Sequence, residues 1–226
     1  MRVDFHCHTH YSPDSIAQIK PLLKAAHKHG LDRLVITDHN CLQGAREAQA
    51  LEPEFVIVGE EIQTTYGEFL AAFMREEIPA HLEPFKVLKL LREQGAFISV
   101  SHPFDPFRSG WPLTMLEEIA PLVDAFEIAN ARVLKPKMNK DSMVFAAQHQ
   151  LPGTAGSDAH DPYEVGRMAL EIADFKDADE LRAAIRSAQV VGKISPGWVH
   201  GFSMIAKVAR KLGMFAQETT LENLSQ

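Results

Sequence analysis

Cysteine is scarce: Cys7 and Cys41 are the two in 226 residues. That argues against a disulfide framework and for a reducing compartment. Long apolar stretches are missing too, and no run approaches the roughly 18 residues that a membrane-crossing helix needs. The opening MRVDFHCHTH carries charge and histidine where a secretory leader needs an apolar stretch, so a cytoplasmic protein without membrane contact is expected. Positive charge is in deficit. The 23 Lys and Arg against 30 Asp and Glu give a formal net charge of −7, which supplies no general field for holding a polyanion. Internal repeats, low-complexity tracts and evident linkers are absent. What is present is ordinary globular material, 46% hydrophobic and 23% charged, in a chain long enough to bury a substantial core.

Short apolar runs alternate with amphipathic segments. Strands are expected at 3–5, 33–37, 55–58, 69–73, 96–100, 125–128 and 153–155, with 167–172 an eighth candidate. Helical spacing of apolar residues marks 16–29, 42–50, 84–94, 113–122, 139–149 and 178–189. Ser15 is placed to cap the first helix, Gly95 to close the third, and Lys24, Lys28 and His29 to complement the dipole of the first. The class is α/β, and the unit length fits either a doubly wound sheet or a small closed barrel. The proline-rich segment 103–112, with Phe104 and Phe107, reads as a site loop, and the polar tail 218–226 is expected to fray.

The placement of His, Asp and Glu against those strands carries the chemistry. His6 and His8 leave the first strand two residues apart, so their side chains share a face. Asp38-His39, Glu60-Glu61, His102 and the pair Asp158 and His160 each follow a further apolar run. In open sheets and barrels the carboxyl ends of several strands converge, and active sites form there. Imidazole nitrogens mixed with carboxylate oxygens suit Zn, Mn or Fe. The clusters supply more ligands than one tetrahedral ion takes, so more than one metal is expected.

Taken in order, His6-Cys7-His8-Thr9 with Ser12 and Asp14, Thr37-Asp38-His39, Gly59-Glu60-Glu61, Ser101-His102-Pro103, Glu127-Ile128-Ala129-Asn130 and Ser157-Asp158-Ala159-His160 resemble the PHP (polymerase and histidinol phosphatase) superfamily. The likeness runs from residue 2 to about residue 195. It implies a distorted seven-stranded β/α barrel of the TIM-like kind and a single PHP domain over 1–226 with a C-terminal helical extension. It also implies a hydrolytic centre of two or three divalent metals. Carried over, the motifs assign His6, His8, Glu61 and Asp158 to one metal. Glu61 would bridge to a second that also takes His102, and Asp14, His39 and His160 would surround a third. The chain departs from the pattern at Asp14 and Glu68, where many relatives have histidine. Glu68 and His81 are then rivals for the second site.

Other residues read mostly as structure. Cys7 alternates against His6 and His8 and is expected in the core, while Cys41 follows the His39 loop. His10 is a candidate support in the first loop, and His27, His29, His149 and His200 have helical or terminal settings. Arg108 and Arg132 follow expected ligand-bearing strand ends and offer forked donors to a phosphate. Lys135, Lys137, Lys140 and Lys193 have weaker claims to the same role. The expected activity is hydrolysis of a small phosphorylated metabolite or nucleotide by metal-activated water, with Asp158 orienting the nucleophile and His39 or His160 moving a proton. Phosphodiesterase or exonuclease action on nucleotides or short oligonucleotides is the first alternative. A non-catalytic metal-binding regulatory module is the second, and the oligomeric state is left open.

Overall fold

The computed structural model describes residues 1–108 and 110–211. The expected tail at 218–226 lies outside the described residues. The strands are β1 (Arg2–Asp4), β2 (Arg33–Ile36), β3 (Val56–Gln63), β4 (Glu68–Ala72), β5 (Phe97–Val100), β6 (Ala125–Asn130), β7 (Gly153–Gly156), β8 (Met168–Glu171) and β9 (Gln189–Gly192). They form one nine-stranded sheet in the order β7-β6-β5-β4-β3-β2-β1-β8-β9.

The count of seven strands is therefore corrected to nine, and the reason lies at β1. Its Arg2 and Val3 pair antiparallel with Glu171 and Leu170 of β8. Just beyond its end the chain turns to β7 instead, where the Phe5 N–H donates to Ala155 O (3.2 Å) and the Asp158 N–H to His6 O (2.7 Å). One short strand thus has a different neighbour at each end, and the sheet nearly closes into a barrel while β8 and β9 extend it. The β/α alternation also fails twice, between β3 and β4 and between β7 and β8, and β3, β4 and β5 pair antiparallel in succession. Glu60 and Glu61 consequently lie inside β3 rather than after it.

The helices are α1 (Ile19–Lys28), α2 (Gln43–Leu51), α3 (Pro84–Gln94), α4 (Leu113–Ile119), α5 (Pro136–Gln148), α6 (Ala178–Ala184) and α7 (His200–Lys211). Among the described residues none is long and apolar enough to cross a membrane. In α1 the buried Ile19, Leu22, Leu23 and Ala26 form the i, i+3, i+4, i+7 stripe of a helix laid on a sheet. Ser15 does not cap it. The Ser15 hydroxyl instead donates to His160 O, tying the first loop to the last metal-type motif, and Gln18 takes the cap position. Gly95 ends α3 with φ 74°, the left-handed value that favours glycine.

Alternation along the strands sorts the core into two layers. Leu34, Ile36, Val56, Val58, Ile98 and Phe126 face the helices outside. Val35, Ile57, Phe97, Ala125 and Ala155 fill the barrel, joined by Ala178 and Leu181 of α6 and by Ile185 just after it. Arg182 of α6 donates to Gly95 O and Ala96 O, just before β5 begins. Helix α6 therefore covers the amino end of the barrel and leaves the carboxyl end open for the site.

Candidate metal centre

Sequence neighbours deliver the first two imidazoles to one place. His6 and His8 are fully buried, and their Nε2 atoms lie 3.0 Å apart. The other nitrogen of each is engaged: His6 Nδ1 meets Glu127 Oε1 at 2.9 Å and His8 Nδ1 meets Ser12 Oγ at 3.0 Å. The Ser12 hydroxyl itself donates to Asp38 Oδ1 (2.8 Å), so toward His8 it accepts. Both rings in their neutral form are thereby fixed as the Nδ1–H tautomer, with Nε2 lone pairs pointing at each other. Glu61 Oε2 stands 3.3 Å from both Nε2 atoms, and Asp158 Oδ1 stands 3.7 Å from His6 and 3.4 Å from His8.

Four acceptors thus converge in a buried space, and Asp158 Oδ1 receives no hydrogen bond there. Such a set is unfavourable unless a cation or protons fill it. The donor chemistry fits a divalent transition metal. Glu61 reaches in two directions, since its Oε1 lies 3.0 Å from His102 Nε2 while its Oε2 lies 3.1 Å from His39 Nδ1. Glu68 joins this side, with Oε2 at 3.5 Å from His102 Nε2 and Oε1 at 3.8 Å from His39 Nδ1. Asp14 Oδ1 completes a third group, 3.3 Å from His160 Nε2 and 3.6 Å from His39 Nε2. Ligand atoms in each of the sets His6–His8–Asp158, His39–Glu61–Glu68 and His8–His39–His160 lie within 4.8 Å of one another.

The structure brings together every residue of the expected cluster and places one of the two rivals, Glu68, beside it. Glu68 is buried in the site, whereas His81 is exposed at a left-handed turn whose backbone N–H donates to Gln63 O. His27, His29 and His149 lie away from it, at Glu52, Val165 and Phe145 respectively. His10 packs against Tyr11 (4.5 Å between ring centroids). Cys7 is buried in the outer layer, and Cys41 is partly exposed.

Electrostatics agree with a basin built for positive charge. Burial alone would raise the Glu61 carboxyl, but His6 and His39 hold it well below the usual range. Asp158 is held down likewise, chiefly by Arg108 and His6 against its burial. Burial would lower His39, yet Glu61 and Asp14 lift it to about 10. His6 is raised well above its ordinary value by Glu61, Asp158 and Glu127 in spite of burial. Burial, with His160 and His39 nearby, drives His8 down to about 3. Protons on His6 and His39 therefore stand where cations would.

Several buried carboxylates have supporting roles that the sequence spacing does not reveal. Buried Asp4 accepts from the backbone of His6, Ser157 and Gly166, binding β1 to the β7 loop. Glu127 holds His6 Nδ1 with one oxygen and the His102 N–H with the other. Asp38, a metal-type residue by motif, instead accepts from Thr9 and Ser12 and shapes the first loop. His102 and Asp158 adopt positive φ, at 22° and 54°, which turns each side chain off its strand end into the site.

Above the cluster lies a cavity of about 320 Å³ lined by Asp14, His39, Glu68, His102 and His160 on its floor. Arg108, Arg132, His200 and Ser203 line it too. Arg108 pairs through Nη1 with Asp158 Oδ2 and approaches Asp105. Arg132 is buried, pairs with Glu164 (3.2 Å), and donates to Ser203 Oγ (3.0 Å) and Val199 O (3.4 Å). It is thus a strut that holds the start of α7 over the cavity as well as part of its wall. His200 came with no motif, and only the docking of α7 places it here. Lys137 is spent on exposed Asp141.

Family models match the PHP domain at residues 4–96 and the PHP-associated region at residues 136–190. The chain belongs to the PHP family. An uncharacterised protein of Methanocaldococcus jannaschii, MJ1587, is 39% identical over 119 residues, covering 47% of this chain and 70% of that protein. The crystal structure of a two-domain Bacteroides vulgatus protein containing a predicted PHP-like metal-dependent phosphoesterase matches with a TM-score of 0.67 at 21% identity. That match covers 85% of this chain and 65% of the Bacteroides chain, so the PHP chain spans somewhat less than two thirds of it. The lesion-specific endonuclease of Pyrococcus furiosus matches with a TM-score of 0.58 at 19% identity, over 84% of this chain and 58% of the endonuclease. At 21% and 19% identity, a protein with a predicted metal-dependent phosphoesterase and an endonuclease share the fold of the PHP chain and leave its substrate to chemistry.

Proposed function

We propose that this PHP protein is a metal-dependent phosphoesterase that hydrolyses a small phosphorylated metabolite or nucleotide. The observation that carries the reading is the convergence of His6 and His8 Nε2 with Glu61 and Asp158 carboxylate oxygens beneath an arginine-lined cavity. His6, His8, Glu61 and Asp158 would hold one divalent ion of the Mn, Zn or Fe type. Glu61 with His102 and Glu68 would hold a second, and Asp14, His39 and His160 a third. When bound, such ions supply a nucleophilic water near neutral pH and neutralise phosphoryl oxygens.

The rest is done by the chain's own groups. Arg108 reaches the cavity from the side of Asp158, and its remaining guanidinium donors are placed to orient the phosphoryl group. Asp158 keeps that guanidinium aimed while its other oxygen faces the histidines. His160 is fixed by Nδ1 donation to Asp158 O (2.7 Å), so the neutral ring turns its Nε2 lone pair to the cavity floor, where it can take a proton from water and hand it to the departing alcohol when the nitrogen is not a ligand. The net charge of −7 favours a small ester over a polymer.

The test loads the purified protein separately with Mn, Zn and Fe and offers phosphomonoesters, nucleotides and short oligonucleotides, with metal content measured alongside. The expected result is turnover of at least one monoester at two or more metals per chain, abolished by chelation and restored by metal. Cleavage confined to oligonucleotides would move the assignment to a phosphodiesterase. Tight metal binding with no ester cleaved under any loading would overturn the enzymatic reading in favour of a regulatory module.

A further inference from the structure

The lip of the cavity carries two large apolar side chains that the fold does not use. Phe107 is 65% exposed and Leu134 is 52% exposed, and both line the same space as the metal-facing residues. Their neighbours behave differently. Phe104, in the same loop, packs on Phe145 with ring centroids 5.6 Å apart, and Val133 beside Leu134 is buried.

The backbone that presents these side chains is anchored. The Phe107 N–H donates to Asp105 Oδ1 (3.0 Å) and the Arg108 N–H to Asp105 O (3.2 Å), while Asp105 itself is buried. Leu134 immediately precedes Lys135, the N-cap residue of α5. Phe107 and Leu134 are therefore held in the open by fixed loops, at a cost in exposed apolar surface that a bound group would recover. The apolar lip is also continuous with the cationic wall, since Arg108 follows Phe107 directly and Arg132 lies two residues before Leu134.

From this we infer that Phe107 and Leu134 form the leaving-group subsite, and that the substrate is a phosphate ester whose alcohol carries a flat aromatic ring. The inference rests on the phosphoesterase reading. A phosphoryl group over the histidine and carboxylate floor directs its ester oxygen toward the mouth, where the lip stands. The cavity, about 320 Å³, is at the lower end of the range that encloses small molecules. An aromatic ring can stack on Phe107 and cover Leu134, whereas a bare polyol would set its hydroxyls against apolar surface and lose their hydration. Hydrolysis breaks the bond between phosphorus and the ester oxygen and adds the elements of water. It releases inorganic phosphate and the ring-bearing alcohol, to which the transferred proton goes.

The test compares adenosine 5′-monophosphate and 2-phenylethyl phosphate with ribose 5-phosphate on the metal-loaded full chain. All three are primary alkyl monoesters, so their intrinsic reactivities are matched and the ring is the variable. A ring ester should exceed ribose 5-phosphate in kcat/KM by about ten-fold, and Phe107→Ala should lose about that factor on the ring ester alone. Leu134→Ala should lose less, in the same pattern. Preference for the nucleotide would assign a nucleobase, and preference for the phenylethyl ester a simple aryl group.

Saturation-transfer NMR with adenosine gives a readout free of turnover. Magnetisation should reach the base protons in the parent protein and not in Phe107→Ala. Equal kcat/KM for all three esters, or equal losses on all three in the variants, overturns the subsite while leaving the phosphoesterase reading intact. If no ester is cleaved, that reading falls. The adenosine signal then judges the lip by itself, its absence from the parent protein overturning the subsite.

Discussion

Glu60 and Glu61 are adjacent in sequence, and the pleat of β3 sends them to opposite faces. Glu61 shares its parity with Ile57 and turns into the barrel mouth, whereas Glu60 shares its parity with Val56 and Val58 and turns to the outer layer. A dipeptide of two like residues does not reveal which one faces the site. The pairing register with β4 decides it, because Glu61 sits opposite Leu70 in the antiparallel ladder. Glu60 is buried, accepts from the Ile78 N–H at 3.1 Å, and keeps Oε1 without a hydrogen bond. Burial, helped by Glu77, raises its carboxyl from 4.5 to about 8. The folded state thus holds a proton that the unfolded state releases. The associated stability is complete below about 4.5 and is lost as pH rises through about 8. Glu60→Gln keeps the acceptor and never ionises. Its stability should exceed the parent's by an amount that grows between those limits and then levels, reaching a few kcal/mol. Denaturant melts of both proteins across the interval check this, and a gap that stays constant or shrinks with pH would refute it.

At the scale of elements, the strands before the ligands were legible because buried runs such as Leu34-Val35-Ile36 and Phe97-Ile98 end abruptly in polar residues. The histidine and carboxylate positions followed from those ends. Less was legible where periodicity has nothing to say. The β3–β4 hairpin is buried on both faces, so its residues show no alternation to separate an antiparallel pair from a βα unit. Strand β9 is short and mostly exposed, and the helical spacing before it runs through α6 and a 3-10 turn (Ile185–Ser187) without a visible break. Nor could spacing show that Glu127 grips His6, since the two lie on strands far apart in sequence. Where the chain just past β1 runs beside β7, there is little space between the two backbones. A Cβ at Gly156 would collide with the Cβ and backbone of His6. Gly156→Ala should therefore push β7 from β1, costing about 1–3 kcal/mol by overpacking and displacing His6 from its partners. Calorimetric melting and metal stoichiometry should both fall. Retention of full metal content in a destabilised variant would show that the junction serves the fold alone.

Across the whole molecule, the carboxyl end of the barrel gathers buried carboxylates among its histidines. Asp14, Glu61 and Asp158 are all held below the ordinary carboxylate range, while His6 and His39 are raised by them, His39 to about 10. In the metal-free protein two imidazolium protons thus do part of the work of the ions. A histidine whose folded pKa is raised contributes stability that is complete below its unfolded value near 6.5, and this contribution disappears as pH climbs through the folded value. Metal-free protein should therefore lose melting temperature steadily from about pH 6.5 toward pH 10, with His6 following the same sign as His39. Bound ions displace those protons and remove that titration, so the melting temperature of the loaded protein should be much flatter over the interval. The gap between the two forms is expected to widen with pH, starting from the ordinary linkage gain of about 2.7 kcal/mol when free metal is a hundred times its Kd. Scanning calorimetry of chelated and reloaded protein at several pH values measures it. Titration calorimetry in buffers of different ionisation enthalpy should also show protons released as metal binds near neutral pH. A gap that narrows as pH rises, with no proton release, would mean that His6 and His39 are neutral before metal arrives and that the carboxylates, not the imidazoles, carry the exchange.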